Sequence, residues 1–166
     1  MDRDAAFELL FTEEYQKVVA IANRVLRDRS EAEDVAQEVF MSFNRLHDPS
    51  ATYAGPWLYS ASAHRALNRI RDLRRRRQRE MQDALTTPPA IADPEAVVQA
   101  GERREVVRAA MANLRGKYAT VLALRYSGLS YAEVASSLKV NIGQVGTLLR
   151  RAEAELKKEV QRVSPE

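Results

Sequence analysis

Residues 129–145 read LSYAEVASSLKVNIGQV, and this stretch decides how the C-terminal part of the chain folds. Ser130 predicts a helix start, because its hydroxyl can accept a hydrogen bond from the first turn while Glu133 accepts one from the Ser130 backbone. Asn141 predicts a second helix start after a tight turn. The pattern is typical of a helix-turn-helix, whose second helix can enter the major groove of DNA. An ordinary helical hairpin is the alternative, and it is favoured by Lys139, which occupies a turn position where glycine is common.

The second helix of this motif has an apolar side and a polar, basic side. Its apolar residues recur at the spacing of one helix face, at Val145, Leu149, Ala152 and Leu156. The opposite side and its flank carry four candidate DNA-contacting residues, Gln144, Thr147, Arg150 and Arg151. Amide, hydroxyl and guanidinium groups suit hydrogen bonding to base edges and phosphates.

The rest of the chain also has helical spacing and almost no strand signals. We therefore expect an all-α protein with two small helical domains joined by a flexible linker. The predicted boundaries are 1–82, 83–101 for the linker, where Pro and Thr residues interrupt helix, and 102–166 for the helix-turn-helix domain. Ser30 is the predicted N-cap of one helix, with Glu33 completing a capping box. The helices are expected near 4–27 (one or two), 31–46, 55–80, 101–113, 115–127, 130–138 and 142–160.

The composition argues against several classes of protein. The 166 residues include no Cys and two His, which excludes a disulfide framework and argues against a metal site. No leader pattern and no apolar run of ~20 residues is present, so we expect a cytoplasmic protein without membrane insertion. Paired carboxylates facing a cleft, a nucleophile–base pair and a phosphate loop are missing from the pattern. We expect neither an enzyme nor a cofactor.

Charge is distributed unevenly although the net charge is only +3. Residues 65–79 contain eight arginines and one aspartate, a density that indicates a polyanionic partner, with a solvated helix face as the alternative. Along the same predicted helix, aromatic, imidazole, amide and guanidinium groups form one row, at Trp57, His64, Asn68, Arg71 and Arg75. Such groups suit stacking on unpaired bases and holding phosphates. A core position is the alternative for Trp57.

The acid-rich helix predicted at 31–46 carries a different kind of surface. Carboxylates, an amide, an aromatic ring and a methionine fall beside its apolar stripe, at Asp34, Gln37, Glu38, Phe40 and Met41. This mixture is typical of a protein-binding patch. Packing of Phe40 and Met41 on a neighbouring helix is the alternative.

Two motifs resemble the extracytoplasmic-function (ECF) sigma factors of bacterial RNA polymerase. Residues 32–40, AEDVAQEVF, resemble the family's helix that docks on the polymerase clamp helices, and residues 57–59, WLY, with the following row and arginines, resemble its −10-reading helix. The helix-turn-helix resembles the family's −35-reading segment. The resemblance implies a transcription initiation factor that binds core RNA polymerase and promoter DNA and is held by an anti-sigma factor.

The resemblance also implies residue roles. The polymerase contacts are Asp34, Gln37, Glu38 and Phe40, with Met41 beside them. The −10 contacts are Trp57, His64, Asn68 and Arg71, with Arg74, Arg75, Arg76 and Arg77 on phosphates. The −35 contacts are Gln144, Thr147, Arg150 and Arg151. The departures from the family pattern are Asn44, His64, Asn68, Lys139 and Gly146, and they bear on the promoter sequence.

The main alternative is a stand-alone helix-turn-helix DNA-binding transcriptional regulator, which leaves the acidic helix without a purpose. An RNA-binding protein that uses the arginine run is a further alternative.

Overall fold

The structure, a computed structural model, describes residues 2–84 and 98–164. Over these ranges it contains seven α-helices and no strand, so the all-α prediction is confirmed. The helices are α1 Arg3–Leu26, α2 Arg29–Leu46, α3 Ala54–Ala84, α4 Val98–Asn113, α5 Lys117–Tyr126, α6 Tyr131–Leu138 and α7 Ile142–Val163.

The boundary between the two helical groups differs from the predicted linker at 83–101. Helix α3 continues through Ala84, because no helix-breaking residue precedes the threonines and prolines that follow. Helix α4 begins at Val98, so residues 98–101 are helical as well. The remainder of the predicted linker, 85–97, lies outside the described residues.

The start of α2 also differs from the prediction. Its N-cap is Asp28, whose carboxylate accepts a hydrogen bond from the Glu31 backbone at 3.0 Å, and Ser30 lies inside the helix. A carboxylate at this position also interacts favourably with the positive end of the helix dipole. The predicted Ser30–Glu33 capping box is therefore wrong, and Glu33 instead pairs with Arg29 at 3.1 Å.

The helices form two groups, α1–α3 and α4–α7, which share one apolar interior. Helices α1, α2 and α3 pack on one another around fully buried residues such as Ile21, Phe43 and Leu58, while α5, α6 and α7 enclose Leu124 and Leu129. The groups also touch, because α3 contacts α4, α5 and α6, and α1 contacts α4 and α5. A continuous cluster of buried side chains runs through both groups. The surface of α3 is thus shaped by the second group as well as the first.

The helix-turn-helix forms as predicted. The Ser130 hydroxyl accepts from the Glu133 backbone at 3.1 Å, and the Glu133 carboxylate accepts from the Ser130 backbone at 3.0 Å. Lys139 closes α6 in the left-handed region, with φ of 57°. Asn141 is the N-cap of α7, and its backbone N–H donates to the Gln144 side chain at 3.1 Å. The starts of α6 and α7 are therefore both fixed by local hydrogen bonds.

Candidate nucleic-acid and polymerase interfaces

The outer face of α7 carries the predicted −35 residues. Val145, Leu149 and Ala152 anchor the helix in the core. The opposite side is exposed and holds all four predicted residues, Gln144, Thr147, Arg150 and Arg151. An Arg150 nitrogen lies 3.4 Å from the Thr147 hydroxyl oxygen, so these two side chains are adjacent. The structure brings the −35 set together on one accessible face.

Trp57 stands in an aromatic cluster at the turn between α2 and α3. Its ring is half-buried, with centroids 5.2 Å from Phe43 and 5.1 Å from His47. His47 is fixed by a hydrogen bond between Nδ1 and the Tyr53 hydroxyl at 2.9 Å. The sequence analysis missed His47 and Tyr53. The signal was present, since both aromatic groups flank a short polar turn beside the predicted stacking residue.

The predicted −10 row continues from this cluster along α3. His64 and Asn68 are exposed one turn apart, as the helical spacing requires. Asn68 and Arg76 line an open groove between α2 and α3, together with Asp34 and Glu38 of the predicted polymerase face. Two sets that the sequence assigned to different partners therefore meet along one groove.

Three of the arginines predicted to contact the −10 element face the second helical group. Arg71 and Arg74 donate to backbone carbonyl oxygens at the C-terminal end of α4 at 3.0–3.1 Å. Arg77 forms an ion pair with Glu105 of α4 at 2.8 Å. In this conformation carbonyl and carboxylate oxygens already occupy these three guanidinium groups.

The remaining arginines of the run stay at the surface. Arg75 is exposed and pairs with Asp72 of the same helix at 3.2 Å. Arg76 is exposed on the groove side. Arg65 and Arg69, which the sequence analysis did not single out, lie 3.4 Å and 3.1 Å from the Glu38 carboxylate.

The acidic face of α2 is exposed except for its aromatic member. Asp34, Gln37 and Glu38 are exposed, and Met41 is 69% exposed. Phe40, however, is only 1% exposed.

Phe40 packs among the aromatic residues of α1. Its ring lies edge-on to Phe11, with centroids 4.9 Å apart, and 6.3 Å from both Phe7 and Tyr15. Those three residues recur every fourth position and form one stripe of α1. The inclusion of Phe40 in an exposed patch is therefore corrected: in this structure it is a core residue.

Glu133 and Tyr59 have shifted pKa values, and each shift is caused by neighbouring groups or burial. The Ser130 backbone N–H holds the pKa of the Glu133 carboxyl below its usual value, and Lys17 acts in the same direction. Burial raises the pKa of Tyr59, whose hydroxyl donates to Glu14 and stays neutral.

Two negative results apply to residues 2–84 and 98–164. No group of three His, Asp or Glu side chains in this part of the chain is arranged to hold a metal ion. None of the helices described there combines the length and the apolar character needed to cross a membrane.

Comparison with known proteins matches both helical groups to one family. The model of sigma-70 region 2 matches residues 10–76, and the model of sigma-70 region 4 matches residues 104–156. The ECF RNA polymerase sigma factor SigK of Mycobacterium sp. (strain KMS) is 30% identical over 156 residues, covering 90% of this chain and 80% of the relative. RNA polymerase sigma factor YlaC of Bacillus subtilis (strain 168) is 29% identical over 161 residues, covering 92% and 91%. The chain therefore belongs to the ECF sigma factors, the initiation factors that direct RNA polymerase to promoters.

Proposed function

We propose that the two helical groups divide promoter recognition between them. The group within 102–166 reads the −35 element as duplex DNA through the exposed face of α7. The group within 1–82 binds core polymerase through α2 and the −10 element through α3. One observation carries this proposal: α2 and α7 each bury one side in the core and expose the other. The exposed side is acidic on α2 and polar to basic on α7.

On α7, the proposed contacts combine base reading with phosphate binding. Gln144 lies at the start of the helix, where a recognition helix approaches base edges. Thr147, Arg150 and Arg151 follow on the same exposed side. A guanidinium group can bind guanine through two parallel hydrogen bonds, so Arg150 and Arg151 are the candidates for base-specific contacts.

On α2, the proposed polymerase contact consists of Asp34, Gln37, Glu38 and the exposed Met41. Methionine supplies an adaptable apolar group, and the carboxylates supply the charge that steers association. Phe40 is buried beneath this face and packs α2 against α1. On the clamp helices, the complementary surface would be basic around a small apolar site.

On α3, the proposed −10 contacts begin at the aromatic cluster. The edge of Trp57 and the exposed His64 and Asn68 would receive unstacked bases, since stacking contributes ~1–3 kcal/mol per base. Arg71 would border the same strand, and the arginines Arg74, Arg75, Arg76 and Arg77 would follow the phosphates.

We further propose that the protein acts in the cytoplasm, without catalysing a reaction and without a cofactor, and that an anti-sigma factor controls it. These statements rest on family membership. An anti-sigma factor should copurify with a tagged chain from uninduced bacterial cells. Recovery of the chain alone would contradict this part of the proposal.

The test of the proposed function is transcription by bacterial core RNA polymerase on fragmented genomic DNA. With the protein added, we expect discrete start sites that share upstream elements at −10 and −35. If no discrete starts appear and the protein does not comigrate with core enzyme, the result would instead support a stand-alone DNA-binding regulator.

The docking face is tested in the same reaction by Asp34→Arg. We expect weaker binding to core polymerase with an unchanged circular-dichroism spectrum, because Asp34 is exposed. Glu8→Arg is the matched control, since it makes the same change of charge at an exposed position of α1. Equal polymerase affinity for both variants would contradict the assignment of α2.

A further inference from the structure

We propose that a cavity between α3 and the helix-turn-helix binds a mononucleotide, with its base on an aromatic wall and its phosphate at a basic wall. The cavity has a volume of about 640 Å³. Sites for small molecules usually measure about 300–1,000 Å³ and combine an apolar or aromatic lining with a few polar groups. This ligand would be additional to the macromolecular partners proposed above.

One wall of the cavity is aromatic, and its rings are held in place by their own contacts. The wall contains Trp57, His47 and Tyr53, from the start of α3 and the turn that precedes it. The His47 ring stacks on Phe43, with centroids 5.1 Å apart and 19° between the planes. A hydrogen bond of 2.9 Å joins His47 Nδ1 and the Tyr53 hydroxyl. A planar base can therefore stack here without rearranging the wall, and such stacking accepts any base.

The opposite wall belongs to the helix-turn-helix and carries the cation of the site. Lys139 lines the cavity from the C-cap of α6, beside Ser136 and Ser137. The Ser137 hydroxyl donates to the Glu133 carbonyl at 2.7 Å, so the exposed Ser136 is the hydroxyl donor for a ligand. His64 adds an exposed imidazole from the side of α3. Ammonium and hydroxyl groups both donate hydrogen bonds to phosphate oxygens.

The charge of the cavity favours an anion. None of the residues that line it within the described ranges is Asp or Glu. Lys139 forms no ion pair with any carboxylate in residues 2–84 and 98–164. A concave surface lined by one sign of charge concentrates ligands of the opposite sign. An anionic group would therefore bind at the Lys139 wall.

The two walls together select a ligand that is aromatic at one end and anionic at the other. Inorganic phosphate would leave the aromatic wall empty, and a neutral nucleoside would leave Lys139 without a counter-charge. A mononucleotide uses both walls.

The ligand would also compete with DNA, a consequence that rests on the proposed function of α3. The Trp57 ring is the proposed stacking site for an unstacked −10 base. One face of a ring holds one base at a time, so a mononucleotide and a melted strand would exclude each other there.

The fluorescence of Trp57 reports on the cavity directly, because it is the single tryptophan of the chain. Titration of the full chain with AMP should quench this fluorescence to saturation. The Kd for AMP should be about tenfold lower than the Kd for adenosine, because only AMP carries the charged group for Lys139. Absence of saturable quenching, or equal Kd values for AMP and adenosine, would overturn the proposal.

The basic wall is tested by Lys139→Gln, which keeps a non-glycine residue at the left-handed position and removes the charge. AMP binding should weaken about tenfold, and adenosine binding should be unchanged. Lys157→Gln is the matched control, since it makes the same change of charge at an exposed position of α7 outside the cavity lining. Equal AMP affinity for the two variants, with normal circular-dichroism spectra, would overturn the proposal.

Competition separates this inference from the proposed function. Oligo(dT) of about 16 nucleotides should raise the apparent Kd for AMP in proportion to its own occupancy. AMP binding that depends on Lys139 but resists oligo(dT) would support the cavity and contradict the assignment of Trp57 to the −10 strand. Discrete polymerase-dependent starts without AMP binding would support the proposed function and overturn the nucleotide site.

Discussion

Phe40→Ala distinguishes a core role from a polymerase contact at the centre of α2. Phe40 is 1% exposed and meets three aromatic rings of α1 within 6.3 Å. Truncation of a buried phenylalanine costs about 3–5 kcal/mol, because the transfer free energy and the new cavity both count. In a chain of this size that loss lowers the melting temperature by about 10 °C. Urea and thermal unfolding followed by circular dichroism measure both quantities.

Met41→Ala is the matched control from the next position of the same helix. Met41 is 69% exposed, so the free energy of unfolding should change by less than about 0.5 kcal/mol. The effects on polymerase affinity should be reversed. Met41→Ala should lower the affinity of the folded protein for core polymerase. Phe40→Ala should lower the apparent affinity only by the fraction of the protein that is unfolded. A Phe40→Ala protein of normal stability that fails to bind polymerase would refute the reasoning from burial.

Three further predictions concern the helix-turn-helix. Arg150→Ala should weaken −35 binding by ~1–3 kcal/mol if the side chain contacts a base, as measured by competition among DNA sequences; an equal effect on every sequence marks a phosphate contact. Lys139→Gly should raise the free energy of unfolding by about 1 kcal/mol, because glycine adopts the left-handed region without strain; calorimetry that shows no gain would contradict this. The folded-state pKa of Glu133 is lowered, so its contribution to stability is present above the usual value near 4.5 and is lost as pH falls through the folded value. Glu133→Gln should flatten the stability profile below about pH 4.5, and an unchanged slope would show that other carboxylates dominate.

The helix-turn-helix was predictable because its determinants are local. Ser130 and Glu133 cap each other within one turn, and the apolar spacing of α7 identifies its buried side. Lys139 argued against this motif in the sequence, because lysine is less favourable than glycine in the left-handed region where the structure places it. The exposure of the predicted −35 residues was predictable for the same reason, since the residues opposite a buried stripe on one helix must face outward.

The burial of Phe40 and the positions of the arginines were not predictable in this way. Phe40 is buried by the aromatic stripe of α1, about thirty positions earlier in the chain, and its own helix gives no sign of that partner. Arg71 and Arg74 are occupied by backbone carbonyls of α4, which carry no sequence signal. The cap of α2 was missed for a smaller reason: Asp28 and Ser30 both fit the cap, and the structure uses the earlier residue.

The carboxylate of Glu38, shared by two arginines, has a consequence for how polymerase docking and DNA binding affect each other. Glu38 holds Arg65 and Arg69 on the groove side of α3. If polymerase takes Glu38 as a contact, both arginines lose their counter-charge, and the net charge within a Debye length of the groove becomes more positive by about one elementary charge. Polymerase docking and DNA binding are then thermodynamically coupled, and each strengthens the other by the same factor. Glu38→Gln uncouples them, and binding cycles with DNA and core enzyme added in either order measure the difference. A single ion cluster would thereby link polymerase docking to DNA binding, whichever of the two partners binds first.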